Sequence, residues 1–291
     1  MYQGNRATSV VGRDPEFAVF AGAFAAAAAG SPTVVLVSGE AGIGKSTLVA
    51  EAARRADAAA YLGRGVHVGG SPIALAPLVD LVRQIRRRHS VDDGDVPTLG
   101  ELAEALQHGG EQHRTADVFA LTLDVVGELG RLGPVMIGIE DLHWGDPATC
   151  DVVDYLIRNL TDEPVVVVAT FRHDKLAADP MLRRRLAELA RLPIVHRVEL
   201  TGLDRGAVAV HAAAVLGIPP PPSMVDDLMR RGEGNPFFTE ELVGAHLAGE
   251  TIPTLLSELL AADIAALDQS ARHVIGAVAA AGRDTQPQFL E

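Results

Sequence analysis

Residues 33–47 read Thr-Val-Val-Leu-Val-Ser-Gly-Glu-Ala-Gly-Ile-Gly-Lys-Ser-Thr. Thr33–Ser38 is a short, unbroken apolar run, as expected of a strand covered on both faces. Gly39–Ser46 then matches Gly-x-x-x-x-Gly-Lys-Ser/Thr in full, and a helix is predicted from about Lys45 through Arg54-Arg55. A strand before the pattern and a helix after it are the context in which it binds phosphate. The glycines let backbone N–H groups turn inward around phosphate oxygens, and the helix adds the positive end of its dipole. Lys45 is placed to bridge the β and γ phosphates, and the Ser46 hydroxyl to ligate Mg²⁺. The stretch predicts a bound nucleoside triphosphate, Mg-ATP, on Gly39, Glu40, Ala41, Gly42, Ile43, Gly44, Lys45, Ser46 and Thr47.

A phosphate-bound Mg²⁺ calls for a carboxylate delivered by a neighbouring strand. Pro134–Ile139 is the next strand of buried type, and it runs into Glu140-Asp141. Glu140 is the candidate for the metal and its waters, and Asp141 for orienting the attacking water. The usual order is Asp then Glu, so the division of labour between the two stays open. Of the residues that follow, Asp146 is most simply the cap of a helix that begins at Pro147. His143 is either a neighbour of the γ-phosphate or a packing residue, and Trp144 a partly buried anchor. Pro164–Thr170 is another strand, followed by Arg172. Strand ends of a parallel sheet share one edge, where ligands bind, so Arg172, with Thr170 second, is the candidate γ-phosphate sensor.

The other segments extend this alternation. A helix from Asp14 or Pro15 stops at Gly30, and a weaker strand lies near residues 60–67. Helices are expected over Ser71–His89, 101–107 and 115–129, then from Pro147 to Leu160 and after Asp179-Pro180, with a last strand at Ile194–Leu200. Strands alternating with helices imply a mainly parallel sheet flanked by helices, the α/β fold of a P-loop NTPase. After Thr201-Gly202 the pattern turns helical, at 204–216, 224–231, 236–248 and 254–267, with Pro219–Pro222 as a spacer. The expected domains are 1–202, a nucleotide-binding α/β domain; 203–267, a smaller all-helical domain; and 268–291, the start of a third that ends early.

Composition narrows the classes further. Aromatic residues make up 4% against 48% hydrophobic, so the core is built from Ala, Leu and Val. The 38 acidic against 25 basic residues, a net charge of -13, oppose DNA binding by this segment itself. Cys150 is the one cysteine, which excludes an intrachain disulfide and fits a reducing, cytoplasmic setting. No apolar run is long enough to span a bilayer. The Ala-rich stretch Phe17–Gly30 has Asp14 and Glu16 where a signal peptide carries basic residues. The 10 histidines show no zinc-site spacing, and no Asn/Thr-Lys-x-Asp segment is present to read guanine.

Five segments together carry a resemblance: Val11-Gly12-Arg13, VLVSGEAGIGKST (35–47), VMIGIEDLHWGDPAT (135–149), VVVVATFR (165–172) and GEGNPFFTEEL (232–242). The chain resembles, from about Val10 to Leu242, the N-terminal ATPase module of the large LuxR-type transcriptional regulators, in the STAND branch of AAA-like NTPases. The EDLHW and GNPFF segments are the more specific. Similar modules are fused to adenylate cyclases and protein kinases, so the output domain is left open. The resemblance implies that Gly12 and Arg13 lie near the adenine, that Arg172 reads the γ-phosphate, and that Pro236 touches the base or ribose. It implies a winged helix beginning within 268–291, with DNA binding only through a C-terminal domain outside this chain. The function it implies is a regulatory switch with slow hydrolysis, ADP at rest, and ATP-dependent self-association. Two other classes compete with it. One is a turnover AAA motor or clamp, for which Arg183, Arg184 and Arg185 offer a trans-acting arginine; the other is a small-molecule kinase, for which no Arg-rich lid is found.

Overall fold

The computed structural model describes residues 10–65, 67–68, 71–89, 94–107, 112–176, 179–249, 261, 264–265 and 268–281. Strand β1 (Thr33–Gly39) is buried along its whole length. Its apolar residues alternate between faces: Val34 and Leu36 enter one core cluster, Val35 and Val37 the other. The same holds for β5 (Val135–Glu140) and β6 (Val165–Phe171), which explains why all three read as continuous Val/Ile runs. With β2 (Ala59–Arg64) and β7 (Val195–Leu200) they form a five-stranded sheet in the order β2-β5-β6-β1-β7. Every pairing in that sheet is parallel. A separate two-stranded antiparallel hairpin joins β3 (His67–Val68) to β4 (Ser71–Pro72).

One face is covered by α1 (Asp14–Ala28) and α2 (Lys45–Arg55), through Phe17, Phe20, Leu48 and Val49 among others. The opposite face carries α3 (Ala76–Arg88), α4 (Leu99–Gln107), α5 (Gln112–Leu132), α6 (Pro147–Asn159) and α8 (Pro180–Leu189). A four-residue helix, α7 (His173–Leu176), lies between β6 and α8. Among the described residues no helix is long and apolar enough to cross a membrane.

The region expected as one helix over Ser71–His89 differs. Ser71–Pro72 pairs in the hairpin, and α3 begins only at Ala76. Leu75, at the helix entry, has φ 57°, and its N–H donates to Asp146 Oδ2 at 3.0 Å. A contact 71 residues away in sequence thus sets where α3 starts, which helical periodicity does not reveal. Within α3, Leu78, Val82 and Ile85 are buried while Val79 is 39% exposed. Pro222, expected as the end of a proline spacer, opens a helix instead, at a position where a missing N–H costs nothing. The helix expected over 254–267 falls largely outside the described residues.

The described residues divide into two compact units, one ending at Leu203 and the other beginning at Asp204. The second unit holds α9 (Arg205–Leu216), α10 (Pro222–Gly232), α11 (Pro236–Ala248) and a helix over Gln269–Ala281. Asp204 caps α9 by accepting from Ala207 N–H at 2.7 Å, and Gly217 at φ 76° ends it. Arg205 pairs with Asp226 across α9 and α10 at 2.8 Å, and buried His211 lies 3.3 Å from Glu240 across α9 and α11. Val208, Ala212, Val225, Leu228 and Val243 are among the buried apolar residues of these helices.

Candidate functional site

Because the sheet is parallel, β1, β2, β5, β6 and β7 all end on one edge. At the end of β1 the chain must turn sharply into α2, and three glycines with positive φ make that turn: Gly39 at 152°, Gly42 at 74° and Gly44 at 98°. A Cβ on Gly39 would lie 2.9 Å from the Leu200 carbonyl oxygen and from Ile43 Cγ2, so only glycine fits beside β7. Gly44 is the N-cap of α2, so the loop delivers the chain straight to a helix N-terminus. Lys45, the first helical residue, is buried, and its Nζ donates to the carbonyls of Gly39 at 3.0 Å and Glu40 at 2.8 Å. Burial lowers the pKa of this ammonium, opposed chiefly by the negative charge of Asp141. Ser46 and Thr47 are exposed on the first turn.

The two acids at the end of β5 lie in different surroundings. Glu140 is buried, 3% exposed, and its carboxylate pairs with the Nε of Arg64, the last residue of β2. Asp141 leaves the strand with φ 53°, and its side chain is half-exposed. That left-handed turn is anchored by β6: Asp141 N–H donates to the buried Thr170 Oγ1 at 2.9 Å. Asp146 caps α6 through Thr149 N–H at 3.1 Å while also receiving Leu75, so one buried carboxylate ties two helix starts together.

Arg172 follows β6. Its guanidinium forks onto Asp174 at 3.0 and 2.6 Å, and its N–H donates to His143 Nδ1 at 3.3 Å. Burial depresses the His143 pKa to about 4, so the ring is neutral at physiological pH and serves as an acceptor rather than a cation. Asp141, Arg172 and Lys45 all act on it electrostatically, which places these groups around one point on the sheet edge.

Arg13, the N-cap of α1, is buried, 5% exposed. Its Nη2 donates to the Thr201 carbonyl at 2.7 Å and to the Ile43 carbonyl at 3.4 Å, and Nη1 reaches Glu16 at 3.3 Å. It therefore joins the start of α1, the phosphate loop and the exit from β7. Gly12, beside it, has φ 66°. Pro236 lies in the other unit, in the first turn of α11, where Asn235 caps by accepting Phe237 N–H at 3.1 Å.

The loop of glycines at a helix N-terminus suits an anion, with Lys45 as the adjoining cation. For Mg²⁺, which takes hard oxygens, the residues that would offer them are Ser46, through its hydroxyl, and Glu140, through its carboxylate. Among the described residues no group of three or more His, Cys, Asp and Glu side chains is arranged to hold a metal. An ion held by these two oxygens would need phosphate and water to complete its coordination, which is the usual habit of Mg²⁺.

Sequence reading passed over Arg64 and Asp174, the two partners that hold Glu140 and Arg172. Gly63-Arg64-Gly65 at the close of a weak strand was the available signal. It becomes readable only once β2 is known to lie beside β5.

A curated relative, an uncharacterized protein of Rhizobium meliloti, is 27% identical over 248 residues; the match takes in 74% of this chain and 23% of the relative. The chain thus spans about a quarter of that protein's length. Two solved structures share the fold. A STAND protein with a tetratricopeptide repeat sensor from Pyrococcus horikoshii has TM-score 0.55 and 18% identity, over 93% of this chain and 34% of its own. A Walker-type ATPase of Pyrococcus abyssi has TM-score 0.56 and 12% identity, over 85% of this chain and 71% of its own. The sequence profile of the AAA ATPase domain matches residues 9–168. That span is more than half of the chain and takes in the phosphate loop and the strand bearing Glu140, so the chain belongs to the AAA ATPase domain family.

Proposed function

We propose that the chain is an ATP-binding regulatory switch of the STAND type that binds Mg-ATP and ADP, hydrolyses slowly and rearranges with the nucleotide. The observation that carries this reading is that three charged groups of the site are already occupied by protein. Lys45 sits on the Gly39 and Glu40 carbonyls, Glu140 on Arg64, and Arg172 on Asp174. Bound nucleotide must replace these contacts, so its arrival shifts a balance between two internally satisfied arrangements. A ligand moves such a balance only through differential affinity for the two states.

In this reading Lys45 and the loop from Gly39 to Thr47 hold the phosphates, and Ser46 and Glu140 hold Mg²⁺. Asp141 orients the attacking water, Arg172 reads the γ-phosphate, and Gly12 and Arg13 border the adenine. Pro236 brings the helical domain, 203–267, to the base or ribose, and a winged helix begins within 268–291. With the LuxR-type resemblance in support, the proposed setting of the module is a cytoplasmic transcriptional regulator that associates with itself on ATP and meets DNA through a separate domain.

The test is to denature the purified chain and identify released nucleotide. Near one ADP per chain supports a closed switch; a nucleotide-free protein that turns over Mg-ATP steadily sinks it in favour of a turnover AAA ATPase. Glu140→Gln with Asp141→Asn is expected to keep nucleotide and lose hydrolysis; undiminished turnover would remove the acids from the reaction.

A further inference from the structure

Arg64 and Glu140 are the last residues of adjacent parallel strands and stand directly opposite in register. Their side chains pair, yet their surroundings are unequal: the Glu140 side chain is 4% exposed and the Arg64 side chain 71%. A carboxylate withdrawn from water needs a cation close by. Here that cation sits at the end of a long, solvent-facing stem that leaves at little cost. The backbone beneath it is held independently. Arg64 N–H donates to Asp80 Oδ2 at 3.3 Å, and the Gln84 side chain clasps Leu62 through both its N–H, at 3.2 Å, and its carbonyl, at 2.8 Å. A Cβ on Gly63 would fall 2.1 Å from the Pro77 carbonyl oxygen, so β2 abuts α3 here without a side chain between them. When the guanidinium moves, the strand therefore stays.

We infer that Arg64 is a positioning residue that competes with Mg²⁺ for Glu140, compensating the carboxylate until metal-nucleotide arrives and then swinging out. The inference rests on the reading of Glu140 as the metal-binding acid. It makes the metal requirement of nucleotide binding a property set by β2, one strand away from the carboxylate itself. It also gives the exposed Arg64 a role that a merely structural ion pair would not have, because the role depends on the pair breaking.

The experiment measures ATP binding by calorimetry across a Mg²⁺ series and in EDTA, for the full chain and for Arg64→Ala, Arg64→Gln and Arg64→Lys. Arg64→Ala and Arg64→Gln are expected to lower the half-effective Mg²⁺ concentration about fivefold, the size of one ion pair with a solvent-facing partner. ATP affinity in EDTA stays within about twofold of the parent, because no phosphate contact is removed. Arg64→Lys keeps the charge and returns the midpoint toward the parent. An unchanged midpoint in the Ala and Gln variants, with the parent binding ATP and responding to Mg²⁺, overturns the competition alone. A raised midpoint also overturns it, since Arg64 would then assist the metal. A parent that binds no ATP, or binds it without any Mg²⁺ effect, removes the underlying reading of the site as well. If Arg64→Ala loses its circular-dichroism signature of folding, the near-isosteric Gln variant decides.

Discussion

The end of β1 and the ends of β5 and β6 lie on one sheet edge but are built by different means. After β1 the geometry belongs to the backbone: Gly39, Gly42 and Gly44 bend the chain at positive φ, and Lys45 closes onto carbonyls five and six residues before it. After β5 and β6 the geometry belongs to partners far along the chain. Thr170 holds the Asp141 turn, 29 residues apart, and Arg64 holds Glu140, 76 residues apart. A local motif tolerates a shift in the rest of the fold; a site made of distant pairs exists only if the strand order is right. One region should therefore fail when its own residues change, and the other when its neighbours do.

The largest expected effect strikes the local side. Lys45→Ala removes the one cation inside the loop, and ATP affinity should fall by about two orders of magnitude, as a lost charge-assisted contact implies. Its melting temperature should stay near the parent's, because the Lys45 ammonium hydrogen-bonds to loop carbonyls. Calorimetry and a thermal melt check both halves, and retained affinity breaks the comparison at its stronger end.

Gly39→Ala attacks the same loop through conformation. Its φ of 152° and the Leu200 carbonyl 2.9 Å from the new Cβ both oppose a side chain. The cost should be about 2–3 kcal/mol in stability, in the range of stored backbone strain. Denaturant unfolding measures it, and a neutral result would mean the loop is looser than its glycines imply.

On the distant side, Thr170→Val preserves shape but removes the acceptor for Asp141 N–H. A loss of about 1–2 kcal/mol is expected for one unsatisfied amide near water. Hydrolysis should fall while ATP affinity holds, since Thr170 orients Asp141 and not the loop. If affinity and hydrolysis fall together, the two strand ends are not separable.

Arg172→Ala is the smallest. Its guanidinium is already forked onto Asp174 at the surface, so its removal should cost little stability. The expected change is a few-fold loss in discrimination between ATP and ADP, about 1 kcal/mol or less. Competition binding with both nucleotides reads it, and unchanged discrimination deprives Arg172 of a sensor role.

The apolar runs at β1, β5 and β6 were legible because a strand covered on both faces carries no polar alternation, and all three lie in the sheet. The glycine spacing and Lys45 were legible because residues that close a tight turn must be near one another in sequence. Caps at Asp146 and Asp204 followed from the same local chemistry. The late start of α3 was not legible, because Leu75 takes a left-handed φ in answer to a carboxylate on another helix.

Sequence alone determined that this chain carries a strand, a phosphate-type loop and a helix, because hydrophobic period, glycine freedom and helix start signals act over a few residues. Only the tertiary structure decided that β2 lies beside β5, that Glu140 is buried against Arg64 while Asp141 faces outward, and that Arg13 joins the loop to the exit from β7. These contacts depend on strand order and on which side chain loses its water, and neither quantity is a property of a short stretch of chain.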